Sequence, residues 1–395
     1  MRLLPPIFVL SFTITHIFNM KKNILLLALL LAAAYGAAQP RGNNQRRWPN
    51  TTSPEVHADN RVTFRYLAPD AREVKLNGQF AATPFDMTKN EDGVWSVTVG
   101  PIEPDMYPYE FIVDGVRAMD PGNADYFPNE NFKGSLLEVP GDEPLVHSIR
   151  NVPHGNVEYV MYEAPSIGAT GRLLVYTPPG YDPQGEKKYP VFYCISGTTD
   201  TEEVYFKVGR ANFILDNLIA KGKAEPMIVV MPYGNPAAYF PPSDEMPKTD
   251  LFSTELMADI IPFVDANYRT ITTREGRGIG GFSRGGGQAL RNGLAHPDKF
   301  AWICSYSSGI GVEDFEKNFS SFYADPDKTN REMKLIWLGV GNSDFLYKMA
   351  CDFGDALFRH RINHIFQVST GGHTWMNAKL YLHETFQRLF QTAKY

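Results

Sequence analysis

The stretch Arg277-Gly278-Ile279-Gly280-Gly281-Phe282-Ser283-Arg284-Gly285-Gly286-Gly287-Gln288-Ala289-Leu290 constrains the fold more than any other part of the chain. It reads as a short buried strand, a sharp turn, and a helix running to about Leu294. At the turn, Gly281-Phe282-Ser283-Arg284-Gly285 matches the nucleophile elbow G-x-S-x-G. A serine pushed out at a strand-to-helix corner takes a strained backbone conformation. Residues two before and two after it must then lack a Cβ, so that strand and helix can pass closely. The free N–H groups of the new helix point at the space above the serine hydroxyl, where an oxyanion would form. The competing reading, a glycine-rich loop with an idle serine, is disfavoured by the apolar strand before it and the amphipathic helix after it.

Around this corner the chain alternates continuous apolar runs with helical patterns. Pro190–Ile195, Met227–Met231, Ala301–Tyr306, Lys334–Val340 and Ile365–Val368 read as buried strands, and Ala211–Ala220 and Thr254–Tyr268 as helices. Two more strands are expected around Val157–Tyr162 and Arg172–Tyr176. Strands buried on both faces and separated by helices predict a mostly parallel sheet of α/β type over residues 141–395. Residues 59–140 differ. Val62, Phe64 and Tyr66 alternate with polar neighbours, as do Trp95, Val97 and Val99, and then Tyr107, Tyr109, Phe111 and Val113. Asn77-Gly78, Asp92-Gly93 and Asp114-Gly115 supply turns, which predicts a small antiparallel β-sandwich. Its aromatics are either core or sugar-stacking platforms. Residues 39–58 are polar and aperiodic and read as a linker.

A serine hydroxyl needs a base to take its proton, and the base needs an orienting acid. In an α/β-hydrolase these follow in the order Ser, acid, His. His373, in Ser369-Thr370-Gly371-Gly372-His373-Thr374-Trp375, lies in a glycine-containing loop just after a strand. That is where catalytic residues of open α/β sheets collect. His360, His364 and His383 sit within helical or strand patterns and are weaker candidates. Asp344 follows the strand Lys334–Val340 and is the expected acid, with Asp352 and Asp355 as alternatives. The oxyanion hole needs two converging N–H donors. They are expected at Arg284, the residue after the nucleophile, and at Thr198 in the loop after the strand ending at Ile195. No H-E-x-x-H, zinc-spaced Cys or His pair, P-loop or complete dinucleotide fingerprint occurs, so neither metal nor cofactor is expected.

The N-terminal sandwich resembles the early-set domain called a family 48 carbohydrate-binding module. The resemblance is carried by Val62-Thr63-Phe64-Arg65-Tyr66-Leu67-Ala68-Pro69, Asp92-Gly93-Val94-Trp95 and Tyr109-Glu110-Phe111-Ile112-Val113-Asp114-Gly115. The rest of the chain resembles the esterase-D-like α/β-hydrolases, in particular the feruloyl and acetyl-xylan esterases of carbohydrate esterase family 1. The residues are Tyr176-Thr177-Pro178-Pro179-Gly180-Tyr181-Asp182, Gly209-Arg210-Ala211-Asn212, Pro226–Pro232, Ile260–Val264, the elbow, His296-Pro297-Asp298-Lys299-Phe300 and Gly371–Trp375. The resemblance implies a Ser283, Asp344, His373 triad and a serine esterase acting on acylated oligo- or polysaccharide of plant cell walls. It also leaves open a siderophore (enterochelin-type) esterase, and a catalytically silent glycan-binding protein. Two departures stand out: Ser196-Gly197-Thr198 replaces the usual His-Gly-Gly, and Arg284 replaces the usual Met. Backbone donors survive both changes, whereas a long cation beside the oxyanion pocket bears on substrate preference.

A formal net charge of -6, with no Lys/Arg block, argues against a nucleic-acid partner. Cys194, Cys304 and Cys351 lie in or beside apolar segments and read as buried small hydrophobes rather than a disulfide framework. Met20-Lys21-Lys22, the apolar run Asn23–Leu31 and the small residues Gly36-Ala37-Ala38 predict an export signal cleaved near Gln39, with Met20 a candidate start. The apolar core is short for a bilayer span.

Overall fold

The computed structural model describes residues 51–131, 133–240 and 250–391. The expected export signal and most of the expected linker lie outside them.

Residues 51–140 form two antiparallel sheets packed face to face. One has the strand order β1 (Glu55–Val56), β2 (Val62–Leu67), β6 (Val94–Val99), β5 (Thr88–Lys89). The other runs β4 (Phe85–Asp86), β3 (Val74–Gly78), β7 (Asp105–Val113), β10 (Gly134–Val139), β9 (Tyr126–Phe127), with β8 (Val116–Ala118) pairing with β7. The period-two pattern works as alternation should: Val62, Phe64, Leu76, Tyr109 and Phe111 are buried between the sheets. The alternating aromatics are therefore core, not sugar platforms. The expected boundary at Asp59 is too late. Glu55 and Val56 pair with Thr63 and Val62, and the Ser53 hydroxyl donates to Asp120 at 2.5 Å, so polar residues read as linker are tied into the sheet edge.

Residues 156–391 build an eight-stranded sheet in the order β11 (Asn156–Ala164), β12 (Ala169–Thr177), β14 (Ile228–Pro232), β13 (Val191–Ile195), β15 (Arg277–Phe282), β16 (Trp302–Tyr306), β17 (Leu335–Gly341), β18 (Ile365–Ser369). β11, β12 and β14 pair antiparallel and every later pairing is parallel, giving the expected α/β-hydrolase sheet. Helices cover both faces, so β13, β14, β15, β16 and β17 are buried along their whole length. The helix expected over 254–268 starts at Leu251, because the Asp250 side chain accepts from the Ser253 N–H. It is not uniform. Leu256–Ile260 is a π-helical turn before the α-helical Ile261–Asn267, and Pro262, which has no N–H to donate, lies just inside that last segment. Cys194 and Cys304 are buried, but Cys351 is only half-buried on the helix Tyr347–Arg359.

Sandwich and hydrolase share a core. Met106, Phe127 and Leu136 of the sandwich pack in one apolar cluster with residues of the sheet and of the helix Trp375–Phe386. Beside that cluster, the buried Lys379 pairs with Asp105.

Candidate active site

Ser283 stands between β15 and the helix Arg284–Ala295 with φ 57° and ψ −121°. A β-carbon there meets the backbone unfavourably, so the surroundings must hold it in place. The Ser283 N–H donates to the Tyr306 carbonyl at 2.9 Å, and the Gly287 N–H donates to the Ser283 carbonyl at 3.1 Å. The flanking glycines have the predicted reason. A Cβ on Gly281 would lie 2.4 Å from the Gly285 carbonyl carbon, and one on Gly285 only 2.1 Å from the Ile195 oxygen. Strand, helix and the loop that leaves β13 meet where no side chain fits.

Asp344 and His373 come together beyond the ends of β17 and β18. His373 Nδ1 lies 2.9 Å from Oδ2 and 3.0 Å from Oδ1 of Asp344. The Asp344 side chain is fully buried, and its Oδ1 also accepts the Leu346 N–H at 2.8 Å. Nδ1–H donating to the carboxylate leaves Nε2 as the basic nitrogen. The two loops are stitched by Asn342 N–H to the Ser369 carbonyl (2.8 Å) and Ser343 N–H to the Gly371 carbonyl (2.9 Å). The imidazole is packed between Phe282 and Phe345, with ring centroids at 4.7 and 4.4 Å. Phe282 is the residue before Ser283, so the His373 ring and the elbow are in contact. Of the carboxylates expected as candidates it is Asp344 that hydrogen-bonds to His373, while Asp352 pairs with Lys348 and His360 with Glu316.

The loop Ser196–Asp200 closes over the elbow. The position of a Cβ on Gly197 is 3.5 Å from Ser283 Cβ, and Thr198 is exposed beside it. Arg284 turns its guanidinium inward, where its Nε and Nη2 are buried without a hydrogen-bond partner. Burial lowers its pKa, against the charges of Glu130, Tyr233 and Asp200. Asp200 is itself buried, and that burial pushes its carboxyl up to about 7 despite hydrogen bonds from Asn129 and Trp375. Glu130 reaches the same place from the sandwich: the Tyr233 hydroxyl donates to it, and Asn235 Nδ2 does so at 3.0 Å.

Residues 164–387 match the family model described as "Putative esterase", more than half of the chain. The chain belongs to this esterase family. Residues 51–126 of the esterase match "Carbohydrate-binding module 48 (Isoamylase N-terminal domain)". A curated relative, an "Endo-1,4-beta-xylanase/feruloyl esterase" of Xylanibacter ruminicola, is 29% identical over 307 residues, covering 76% of this chain and 41% of that one. The chain thus spans less than half the length of that relative. Among solved structures, the feruloyl esterase module from Clostridium thermocellum superposes with a TM-score of 0.53 at 24% identity, covering 69% of this chain and 96% of that one. The enterobactin esterase from Shigella flexneri reaches a TM-score of 0.60 at 16% identity, covering 89% and 99%. At such identities these structures show the shared fold alone.

Three polar residues at the site of the esterase escaped the sequence reading. Asp200 was within sight, a carboxylate two positions past Thr198 in the loop singled out for the oxyanion. Asn129 and Glu130 had no local signal, since they come from the sandwich, about 150 residues before the nucleophile in a chain whose pattern there reads only as strands and turns.

Proposed function

We propose that the esterase is an exported serine carboxylesterase that removes feruloyl or acetyl groups from plant cell-wall polysaccharide such as xylan. The observation that carries this reading is the buried Asp344 carboxylate on His373 beside a strained, glycine-flanked Ser283. In the proposed cycle His373 Nε2 takes the Ser283 proton as Oγ attacks the ester carbonyl. The backbone N–H groups of Arg284 and Thr198 receive the oxyanion. The imidazolium, steadied by Asp344, protonates the leaving sugar oxygen. Water then repeats the sequence on the acyl-enzyme and releases the acid. None of these steps calls for a metal or an organic cofactor.

Support for the glycan comes from the relatives: a xylanase/feruloyl esterase aligns with 76% of this chain at 29% identity, and the sandwich matches a carbohydrate-binding family. Export rests on the residue pattern from Met20 to Ala38. Among the described residues no helix is long and apolar enough to cross a membrane.

A panel of methyl ferulate, acetylated xylan and a catecholate siderophore tests the substrate class, with the first two expected to be hydrolysed and the siderophore not. Preferential cleavage of the siderophore would replace the glycan reading with the enterochelin-type one. Failure of a fluorophosphonate to label Ser283 would instead point to a silent binding protein.

A further inference from the structure

The oxyanion loop Ser196–Asp200 is held from two sides, and one of them is the sandwich. Within the hydrolase, the Asp200 N–H closes a turn onto the Gly197 carbonyl at 3.3 Å, and the Ser196 hydroxyl donates to the Asp200 carbonyl at 3.2 Å. From the sandwich, Asn129 and Asp200 form an antiparallel bridge. The Glu130 N–H donates to the Thr199 carbonyl at 2.6 Å, and the Thr201 N–H donates to the Pro128 carbonyl at 3.2 Å. Asn129 Nδ2 donates to Asp200 Oδ1 at 2.9 Å, with both residues buried.

Between these anchors Thr199 has φ 63°, a left-handed conformation that a β-branched residue disfavours and that must be imposed from outside. The residue before it is Thr198, the expected oxyanion donor. The bridge follows directly on Phe127 of the apolar docking cluster and adjoins the Glu130 contacts to Tyr233 and Asn235, whereas the Lys379–Asp105 pair docks the two parts elsewhere. The bridge falls on the loop that touches Ser283.

We propose that Asn129, with the backbone of Glu130, is a positioning residue for catalysis: the sandwich supplies a bridging segment, Pro128–Glu130, that sets the oxyanion loop in its working conformation. The proposal rests on the ester-hydrolysis reading and goes beyond it, because it makes the N-terminal sandwich part of the reaction centre. An oxyanion donor moved out of line weakens transition-state binding while substrate binding is largely kept. The loss therefore belongs in kcat and not in KM.

The test is Asn129→Ala in the full chain, assayed with methyl ferulate and 4-nitrophenyl acetate. Removal of a whole oxyanion donor costs about 100- to 1000-fold in kcat, so its misplacement is expected to cost roughly 10- to 50-fold, with KM within about twofold. Fluorophosphonate labelling of Ser283 should slow by a similar factor, since phosphonylation places an oxygen in the same hole. Asn129→Asp keeps the volume but sets two carboxyls against each other, in a pocket also faced by Arg284, Glu130, Tyr205 and Trp375. Two carboxyls at that distance share a proton, so kcat relative to wild type should fall as pH rises from about 6 to 9. Unchanged kcat and labelling in Asn129→Ala, a lower melting temperature alone, or a rise confined to KM would each overturn the proposal. If the wild-type protein neither hydrolyses an ester nor labels, the esterase reading fails first and the proposal falls with it.

Discussion

In the proposed cycle single side chains decide the chemistry, and Arg284 has a different part in it from Ser283, Asp344 and His373. His373→Ala is expected to lower ester turnover by several orders of magnitude with the fold intact, because residues acting as a unit each carry most of the effect, while Asp344→Asn, at the orienting acid, costs somewhat less. Steady-state kinetics beside circular dichroism checks both. Arg284 is different. Its backbone N–H is the expected oxyanion donor, but its guanidinium is buried near Glu130, Tyr233 and Asp200. Arg284→Met should therefore change the ratio of kcat/KM between aryl and acetyl esters more than it changes the better of the two. An equal loss on both substrates would mean that the side chain is structural. Away from the cleft, Glu255 is buried, accepts the Tyr162 hydroxyl at 2.7 Å, and has its carboxyl pushed up to about 7 by burial. A raised folded-state pKa gives stability that is fully present below the unfolded carboxyl range near 4 and is lost as pH rises through about 7. Glu255→Gln removes that dependence, so the variant should gain on wild type by about 3 kcal/mol between pH 4 and pH 8 in denaturant titrations.

At the scale of elements, the elbow was legible because its rule is local: a strained corner requires missing β-carbons at fixed offsets, and Gly281 and Gly285 stand at them. Two neighbouring glycines make that rule measurable. Gly285→Ala drives a methyl into the Ile195 and Ser196 carbonyls, at 2.1 and 2.5 Å, where backbone cannot yield. A loss of about 3 kcal/mol is expected, with most activity gone. Gly287→Ala, two residues on, meets only the Ser308 hydroxyl at 3.5 Å. Relief of the helix-interior glycine should then stabilise it by up to about 1 kcal/mol. The apolar strands were equally readable, since continuous burial shows in one dimension. The start of the sandwich was not: residues 51–58 are held by the two-residue β1 pairing with β2 and by Ser53 on Asp120, a contact 67 residues apart that leaves no local pattern. Asn129 on Asp200 escaped for the same reason, at a separation of 71 residues.

Taken whole, residues 51–391 behave as one body built from two folds. Excising residues 51–140 would expose the apolar surface packed on Met106, Phe127 and Leu136 and strand the buried Lys379 without Asp105. Breaking a buried ion pair by removing one partner typically costs about 3–5 kcal/mol. The truncated hydrolase should therefore melt earlier and turn over small esters more slowly. A sandwich that served only to tether polymer would leave both unchanged. The most direct measurement is acid release from acetylated and feruloylated xylo-oligosaccharides by the full-length protein, beside its Ser283→Ala variant at neutral pH. Wild type should release acetate or ferulate steadily, and Ser283→Ala should fall by several orders of magnitude with an unchanged circular dichroism spectrum. No release by folded wild-type protein, or a tenth of the wild-type rate surviving in Ser283→Ala, would contradict the assignment of Ser283 as the nucleophile of a glycan esterase.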